Sequence, residues 1–266
     1  MNAPERFFLP DMQASLDHRQ LAIQQVGVRG LRYPLALVDA SGEAHPTVAR
    51  LAMTVGLPPD VKGTHMSRFV ELLERPRAAL TLGDLRRMLG EMLRHLQARD
   101  GRIEIRFPYF IRKRALISGA ASLLDIDAGI DVWVAPGGAV ETALAVTVPV
   151  TSLCPCSKQI SDYGAHNQRS HLSLRVGLKA DMTLEDLVRI AEEEASCEVF
   201  GLLKRPDEKW VTERAYDNPK FVEDLVRDIA LRLRDEERVG SWTVASENFE
   251  SIHNHSAYAL IEGHND

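Results

Sequence analysis

Apolar residues follow two spacings along the chain, one typical of strands and one typical of helices. Residues 102–107 alternate charged and apolar side chains, which predicts a strand with one buried face. Over residues 82–96, leucine and methionine recur at helical spacing opposite charged residues, which predicts an amphipathic helix that begins after Thr81. Thr183 followed by Asp186 resembles a capping box and predicts the start of a second long helix.

The remaining segments complete a repeated order of strands and helices. Strands are predicted at residues 21–38, 47–55, 126–134, 140–150, 171–177, 241–252 and 255–261, and further helices at residues 68–75 and from the pair Asn218-Pro219 onward, with a polar connection after Pro206. Each half has the order ββααββ, which favours an α+β fold of antiparallel sheets with helix pairs on one face over a doubly wound parallel sheet. We expect an irregular segment at residues 1–20, a first unit at 21–138 and a second unit at 139–266.

Composition and charge narrow the class of protein. The 266 residues carry 32 Lys and Arg against 38 Asp and Glu, for a formal net charge of -6, which argues against a nucleic-acid-binding protein. No apolar run reaches the roughly 18 residues of a membrane span, and the N-terminus lacks the form of a signal peptide. Three cysteines do not make a disulfide framework. We expect a cytoplasmic protein with reduced thiols and no nucleic-acid or membrane partner.

A short loop concentrates groups that could bind a metal. Cys154 and Cys156 are separated by one proline, and His166 follows before the next predicted strand. On an extended backbone, residues i and i+2 share a face, so both sulfurs could point into one pocket. The third ligand beside Cys154 and His166 could be Cys156, Glu208 or His253, and such a set suits zinc, iron or manganese. Alternatively, the two thiols are small buried side chains of the core.

Four stretches of the sequence resemble one enzyme family. They are Thr-Ser-Leu-Cys-Pro-Cys-Ser-Lys at 151–158, Tyr-Gly-Ala-His-Asn-Gln-Arg at 163–169, Leu-Lys-Arg-Pro-Asp-Glu-Lys-Trp at 203–210 and Glu-Ser-Ile-His-Asn-His-Ser at 250–256. Together they resemble the bacterial type IB GTP cyclohydrolases, members of the tunnelling-fold group. The resemblance implies two tandem units in one chain, sheets that associate into barrels, and a homo-oligomer, expected to be a tetramer, with active sites at its interfaces. It also implies GTP as the substrate, with formate and 7,8-dihydroneopterin triphosphate as the products.

The same resemblance implies roles at the metal. It assigns Cys154, His166 and Glu208 as ligands of one divalent metal (zinc, manganese or iron(II)), and it places Cys156 near the reacting carbon as a catalytic residue. Which of the two cysteines binds the metal stays open from the sequence. A metal held there would activate water for attack on C8 of the purine.

Three further residues are implied to act on the purine. A carboxylate accepts the adjacent N1–H and amine of guanine at once, and Glu223, near a predicted helix start, is the candidate. It could equally be a solvated residue favoured by the helix dipole. His253 is the candidate proton donor, with Glu250 as its partner or as another substrate contact. On a regular strand these two residues face opposite sides, so the chain must bulge or turn between them.

The triphosphate would need several cations. Arginine forks suit phosphate oxygens, and lysine supplies a point charge. The candidates are Lys158, Arg169, Lys204 and Arg205 near the loops already described, with His65 and Arg68 from the first half. No G-x-x-x-x-G-K-[ST] motif occurs, which argues against an ordinary ATPase or GTPase.

Two other functions stay open. A tunnelling-fold nitrile reductase of queuosine synthesis would use a cysteine as a covalent nucleophile, with a reductant and no metal. A non-catalytic metal-binding module would bind metal at the cysteine loop without binding a purine. The third cysteine, Cys197, is predicted to lie inside the helix that begins after Thr183 and to pack in the core.

Overall fold

The computed structural model describes residues 11–13, 15–75 and 78–265. Within them, the order is β1 (Ile23–Val38), β2 (Ala44–Leu57), α1 (Met66–Leu73), α2 (Leu82–Leu96), β3 (Gly101–Arg114), β4 (Ala121–Val134), β5 (Val140–Leu153), α3 (Pro155–Ile160), β6 (Asn167–Leu178), α4 (Leu184–Glu194), β7 (Cys197–Glu198), α5 (Arg205–Asp217), α6 (Val222–Arg234), β8 (Val239–Asn248) and β9 (Ala257–His264). Of the predicted irregular segment 1–20, residues 1–10 and 14 lie outside the described residues, and the rest contains an isolated bridge from Leu16 to Val61. None of the helices described is long and apolar enough to cross a membrane.

One antiparallel sheet organises the molecule. Its strand order is β1-β2-β3-β4-β5-β6-β8-β9, and the short β7 pairs with the end of β5. Alternate residues of the strands turn inward, as Leu51, Met53 and Val55 do in β2, and pack with the helices into one apolar core. The predicted α+β class, with a large antiparallel sheet, is confirmed.

The two halves of the chain follow the same course. In the first half, β1, β2, α1, α2, β3 and β4 occur in the predicted order. In the second half, β5, β6, α4, α6, β8 and β9 repeat it, and α3, β7 and α5 are additional. Because β4 pairs with β5 as far as Val134 and Val140, the sheet continues across the predicted boundary at residue 138. The division into two units stays a prediction.

The strand register defines two ends of the sheet. All neighbouring strands on the main path are antiparallel, and the chain reverses at one end after Val38, Arg114, Leu153 and Asn248. We call this the cysteine end, because residues 154–166 lie there. The opposite end, called the far end, carries the connection from β2 to α1 and the turn between β4 and β5.

Two predicted helix starts are confirmed by their caps. The Thr81 hydroxyl accepts from Asp84 N–H before α2, and the Asp84 carboxylate accepts from Thr81 N–H at 2.9 Å. Thr183 and Asp186 form the same reciprocal pair before α4. These bonds satisfy N–H groups that the first turn of a helix leaves unpaired, so each helix begins where the cap stands.

The polar connection predicted after Pro206 is wrong, because residues 205–217 form helix α5. Only Asp207 and Ala215 of this helix are buried. The helix therefore has no apolar stripe, which is the pattern that reveals a helix in a sequence.

The helix start predicted at Asn218-Pro219 is also wrong. Asn218 follows the last turn of α5, and its side-chain amide donates to Ala195 C=O at 2.8 Å. Helix α6 begins at Val222, where the Asp224 carboxylate accepts from Phe221 N–H at 3.0 Å. Asn218, the polar residue before Pro219, therefore follows the end of α5 and does not begin α6.

Cys197 does not lie inside α4, as predicted, because that helix ends at Glu194. The chain becomes extended beyond it, and Cys197 pairs with Thr151 of β5. The neighbouring Ser196 hydroxyl accepts from Leu153 N–H at 3.1 Å, which fixes this turn to the sheet. The predicted core packing of Cys197 is confirmed, and burial raises the pKa of its thiol to about 11.

Candidate active site at the cysteine loop

The cysteine loop continues directly from a strand pair. β5 and β6 pair as far as Leu153 and Asn167, and the next backbone hydrogen bond runs from Cys154 N–H to His166 C=O at 3.1 Å. Cys154 and His166 therefore face each other across the base of the loop. The pairing of two apolar strands brings the two predicted ligands together.

A short helix, rather than an extended loop, follows Cys154. Cys154 is the N-cap of α3, Pro155 stands in its first turn, and Ser157 N–H donates to Cys154 Sγ at 3.4 Å. Residues two apart on a helix point in different directions, so the expected common face of Cys154 and Cys156 is wrong. Cys154 is half-buried and Cys156 is exposed. This favours Cys154 as the ligand and leaves Cys156 accessible.

His166 is held through its backbone and its ring. Its N–H donates to Ser157 Oγ at 3.2 Å, and its ring Nδ1 lies 3.0 Å from Gln168 Oε1. Ser251 Oγ lies 3.5 Å from the same nitrogen. Since Nδ1 is occupied by these groups, Nε2 is the ring atom left for a metal.

Gln168 belongs to a buried polar row that was not predicted from the sequence. Its Nε2 donates to Ser152 Oγ at 2.9 Å, and Ser152 Oγ lies 2.7 Å from Ser170 Oγ. All three side chains are buried on the inward face of β5 and β6, in line with Leu172 and Leu174. The sequence carries one signal for this row, namely polar residues at positions of a strand that face inward. Buried polar groups require hydrogen-bond partners, so such residues indicate a buried network.

The segment between the last two strands reaches the same site. Residues 249–256 form a loop at the cysteine end. Phe249 N–H donates to Arg169 C=O at 2.9 Å, and Ser251 approaches His166 as described above. The loop therefore lies against the start of β6 and the ring of His166.

The two predicted catalytic residues of the closing segment lie in this loop. The strand predicted at 241–252 is too long, since β8 ends at Asn248. Glu250 is half-buried, and His253 is exposed with its ring stacked on His255 at a centroid distance of 5.2 Å. The turn that Glu250 and His253 require in order to serve one pocket is present.

Glu223 lies in the first turn of α6 and is exposed. The segment before this helix is fixed to the sheet, because Lys220 N–H donates to Leu153 C=O at 3.0 Å. Leu153 immediately precedes Cys154. The start of α6, and with it Glu223, is thus placed beside the cysteine loop.

Helix α5 is fixed to the first half of the chain by one carboxylate. Asp207 accepts from Ile117 N–H at 3.0 Å, Ser118 N–H at 2.9 Å, the Ser118 hydroxyl at 2.6 Å and Lys204 N–H at 2.8 Å. The Ser118 hydroxyl, with these N–H groups, outweighs burial and lowers the pKa of Asp207 to about 2. Glu208, the next residue, is exposed.

A cavity of about 270 Å³ separates α5 from the cysteine end of β5 and β6. Val211 and Thr212 line it from α5, and Asn167 and Arg169 line it from β6. Glu208 lies one helical turn before Val211 and Thr212, so it shares their face of α5. Across the cavity from Val211 and Thr212 lies Asn167, the residue after His166.

Four of the predicted phosphate-binding cations lie at the cysteine end. Arg169 is exposed beside the cavity, and Lys204 and Arg205 are exposed at the start of α5. Lys158 is already engaged, because its Nζ donates to Tyr216 C=O and lies 4.2 Å from the centre of the Tyr216 ring. Three of these cations are therefore open to an anion.

The other two predicted cations lie at the far end. His65 precedes α1, and its Nε2 lies 3.1 Å from an Asp11 carboxylate oxygen. Arg68 approaches His95 C=O at 3.5 Å. Since β2 runs away from the cysteine end before α1 begins, one chain does not bring His65 and Arg68 to its own cysteine loop.

A divalent metal at this loop needs about three protein ligands. Within the described residues, no group of three or more His, Cys, Asp or Glu side chains is placed to hold a metal ion. Cys154 and His166 nevertheless adjoin, and a sulfur with an imidazole nitrogen suits zinc, iron(II) or manganese. The candidate third ligands Glu208 and His253 lie on segments that border the loop. The residue types at the loop thus suit a divalent metal, and the backbone brings two of the predicted ligands to facing positions.

Solved structures share the fold at low identity. Urate oxidase from Bacillus sp. TB-90 has a TM-score of 0.51 and 9% identity, over 92% of this chain and 100% of that chain. A hyperthermostable mutant of the same urate oxidase has a TM-score of 0.52 and 9% identity, over 91% of this chain and 98% of the other. At this identity, the likeness concerns the α+β fold alone.

Relatives by sequence are much closer. The family described as type I GTP cyclohydrolase FolE2 matches residues 9–259. GTP cyclohydrolase FolE2 1 of Dechloromonas aromatica (strain RCB) is 68% identical over 266 residues, 100% of both chains. GTP cyclohydrolase FolE2 2 of Cupriavidus metallidurans is 60% identical over 256 residues, 96% of this chain and 95% of the relative. The chain belongs to the type I GTP cyclohydrolase FolE2 family, so the predicted family is confirmed at the level of type I GTP cyclohydrolases.

Proposed function

We propose that this chain is a GTP cyclohydrolase of the type IB, tunnelling-fold kind. It converts GTP and water into formate and 7,8-dihydroneopterin triphosphate, the first step of folate-type pterin synthesis. The observation that carries the proposal is full-length identity of 68% to a GTP cyclohydrolase. The pairing of Cys154 with His166 at an open loop supports it. Membership of this family argues against the alternative of a nitrile reductase.

Cys154, His166 and Glu208 would hold a divalent metal at the base of the loop. A metal bound there supplies the Lewis acidity that makes water nucleophilic near neutral pH. Cys154 is oriented by the Ser157 N–H, and His166 presents Nε2. Glu208, one helical turn before the cavity residues Val211 and Thr212, would be the third ligand. Exposed Cys156 contacts the substrate near the reacting carbon.

The segments around the loop hold the purine and move protons. The Glu223 carboxylate accepts N1–H and the exocyclic amine of guanine from the start of α6. His253 donates a proton to the imidazole ring of the substrate as water attacks C8. Glu250, half-buried in the same loop, orients His253 or contacts the substrate. Both loop residues lie beside Ser251, which already approaches His166.

The triphosphate lies along the cations at the cysteine end. Arg169, Lys204 and Arg205 are exposed there, and their charges suit phosphate oxygens. Lys158 would have to leave Tyr216 to take part. His65 and Arg68 contribute only if another copy of the chain brings its far end to this site.

The assembly is proposed to be a homotetramer with active sites at its interfaces. Among the described strands, β1 and β9 each pair on one side, so their outer edges are available to another copy. Tyr258 and Leu260 of β9 are 63% and 52% exposed, which supports burial by a partner. The proposed location is the cytoplasm, because three free cysteines suit a reducing compartment.

Turnover of GTP before and after exhaustive chelation tests the function. We expect formate and, after oxidation, a fluorescent pterin; both should vanish on chelation and return with zinc, manganese or iron(II). No product with any of these metals, from folded protein that binds metal, would instead indicate a metal-binding module. If product still forms after verified complete removal of metal, the cyclohydrolase activity stands and the metal mechanism is refuted.

A further inference from the structure

The hydrogen bonds that continue from His166 into the core have a defined direction. Gln168 is 7% exposed, and its amide lies between the His166 ring and the Ser152 hydroxyl. The amide nitrogen donates to Ser152 Oγ at 2.9 Å, so the amide oxygen is the atom that faces His166 Nδ1 at 3.0 Å. Ser152 Oγ in turn lies 2.7 Å from Ser170 Oγ, and the two hydroxyls share one hydrogen bond.

This direction determines the protonation of the histidine ring. An amide oxygen can only accept a hydrogen bond, so Nδ1 must carry the hydrogen. In a neutral imidazole the other nitrogen, Nε2, then has the free electron pair that a metal requires. If the amide were reversed, its NH₂ would donate to Nδ1, and the hydrogen would be on Nε2.

We propose that Gln168 is a positioning residue that holds His166 as the Nδ1–H tautomer, with Nε2 available to a divalent metal. The inference rests on the proposed function, because it concerns a ligand of the proposed metal. Ser152 supports Gln168 by accepting from its amide nitrogen, and Ser170 lies within hydrogen-bond distance of Ser152. The polar row of Gln168, Ser152 and Ser170 therefore extends from the buried face of the sheet to Nδ1 of His166.

The choice of an amide over a carboxylate has a physical reason. Gln168 is buried on the inward face of β6, where an unpaired carboxylate would carry a large desolvation cost. A neutral amide oxygen orients the ring without placing a negative charge in the core. In the first half of the chain, by contrast, His45 contacts the carboxylate of Asp39, which lies in a surface turn.

Solid-state ¹⁵N NMR of metal-free protein, labelled only at histidine ring nitrogens, reports the tautomer directly. The chain has 9 histidines, and the His166 signals are those lost in His166→Ala. We expect wild-type His166 to be protonated at Nδ1 and unprotonated at Nε2. A His166 ring protonated at Nε2 in the wild-type protein would overturn the inference. This measurement needs no substrate and no Gln168 variant, so it decides even if such variants do not fold.

Zinc affinity, measured by competition with a chromophoric chelator, tests the consequence. Gln168→Met keeps the length of the side chain but removes the acceptor, and should weaken zinc binding by about 10–100-fold. Gln168→Glu restores an acceptor for Nδ1–H and should recover most of that loss. Gln159→Met, at an exposed glutamine of α3, is the matched control and should bind zinc like the wild type. Unchanged affinity in folded Gln168→Met would refute the positioning role.

The two proposals fail in different ways. Suppose that His166 is protonated at Nδ1 and that Gln168→Met binds zinc more weakly, but the wild type does not turn over GTP. The positioning role of Gln168 would then stand, and the cyclohydrolase activity would be refuted. Normal turnover with an Nε2–H tautomer would do the reverse.

Discussion

Corresponding connections of the two halves lie at the same end of the sheet but differ in length. β1 and β2 are joined by residues 39–43, whereas β5 and β6 are joined by residues 154–166. Between the helices, residues 74–81 connect α1 to α2, whereas residues 195–221 connect α4 to α6. The additional residues of the second half therefore collect at the cysteine end, where they form α3, β7 and α5.

The first-half turn is closed on itself. Asp39 accepts from Ser41 N–H at 2.8 Å, the Ser41 hydroxyl at 2.7 Å and Glu43 N–H at 2.9 Å, and its other oxygen contacts His45. Burial opposes ionisation of Asp39, but the bonds from Ser41, His45 and Glu43 outweigh it and lower the pKa to about 2. The carboxylate and the histidine of this turn therefore serve its stability.

The second-half connection uses the same position in the fold for chemistry. Cys154 N–H donates to His166 C=O across the base of the loop, and Ser157 and Gln168 contact the two side chains. Cys156 is left exposed. One hairpin frame therefore supports either a tight turn or an open site, according to whether its polar side chains find partners within the turn.

The largest difference in GTP turnover is expected between variants of the two histidines at these connections, His166 and His45. His166→Ala should lower GTP turnover by more than the ~10–100-fold typical of residues that only support a ligand, because a ligand itself is lost. His45→Ala should keep the turnover of folded protein and lower Tm, because it removes a partner of Asp39. Formate release, metal content and thermal unfolding measure the difference. Equal losses of turnover in the two variants would contradict the contrast between a closed turn and an open site.

An intermediate effect is expected where the second half is fixed to the first. Asp207→Asn should lower Tm by about 3–8 °C, because buried N–H donors lose a charged acceptor. The pKa of Asp207 is about 2 in the folded protein, below the ordinary 3.8, so its stabilisation is complete above about pH 4 and is lost as the pH falls through 2. The Tm difference from the wild type should shrink accordingly on acidification.

Asp217→Asn is the matched control, because Asp217 ends the same helix and is exposed. It should change Tm by no more than about 1 °C, since surface substitutions have small effects. A drop as large as that of Asp207→Asn would show that helix charge, rather than the contact with Ile117 and Ser118, carries the effect.

The smallest effect is expected in the first-half turn. Asp39→Asn should lower Tm by about 2–4 °C at neutral pH, because the turn loses an ionised acceptor at the surface. Its folded-state pKa of about 2 is also lowered, so this stabilisation too is lost as the pH falls from about 4 through 2. Turnover by folded protein should be unchanged, and Asp60→Asn, at an exposed aspartate of the far end, is the control. Loss of turnover would assign the turn a role beyond stability.

Local chemistry made part of the fold predictable. The caps at Thr81 and Thr183 involve residues three positions apart, and the alternation at 102–107 lies within one strand, so each element formed where expected. Helix α5 was missed because its start is fixed by Asp207 binding Ile117, 90 residues earlier in the chain. No pattern of apolar residues within α5 records that contact.

The sequence by itself determined the family at the level of type I GTP cyclohydrolases, because the residue types and spacing of the cysteine loop and the later motifs are local properties that the chain carries before it folds. Only the tertiary structure decided that Cys154 and His166 adjoin, that Gln168 faces the His166 ring, and that Glu250 and His253 share one loop. It also decided that His65 and Arg68 lie at the other end of the sheet. The approach of Cys154 to His166, the contact of the Gln168 amide with Ser152 and the distance of His65 and Arg68 depend on which strands pair and in which register. Strand pairing joins residues far apart in the chain, so no local pattern records these relations.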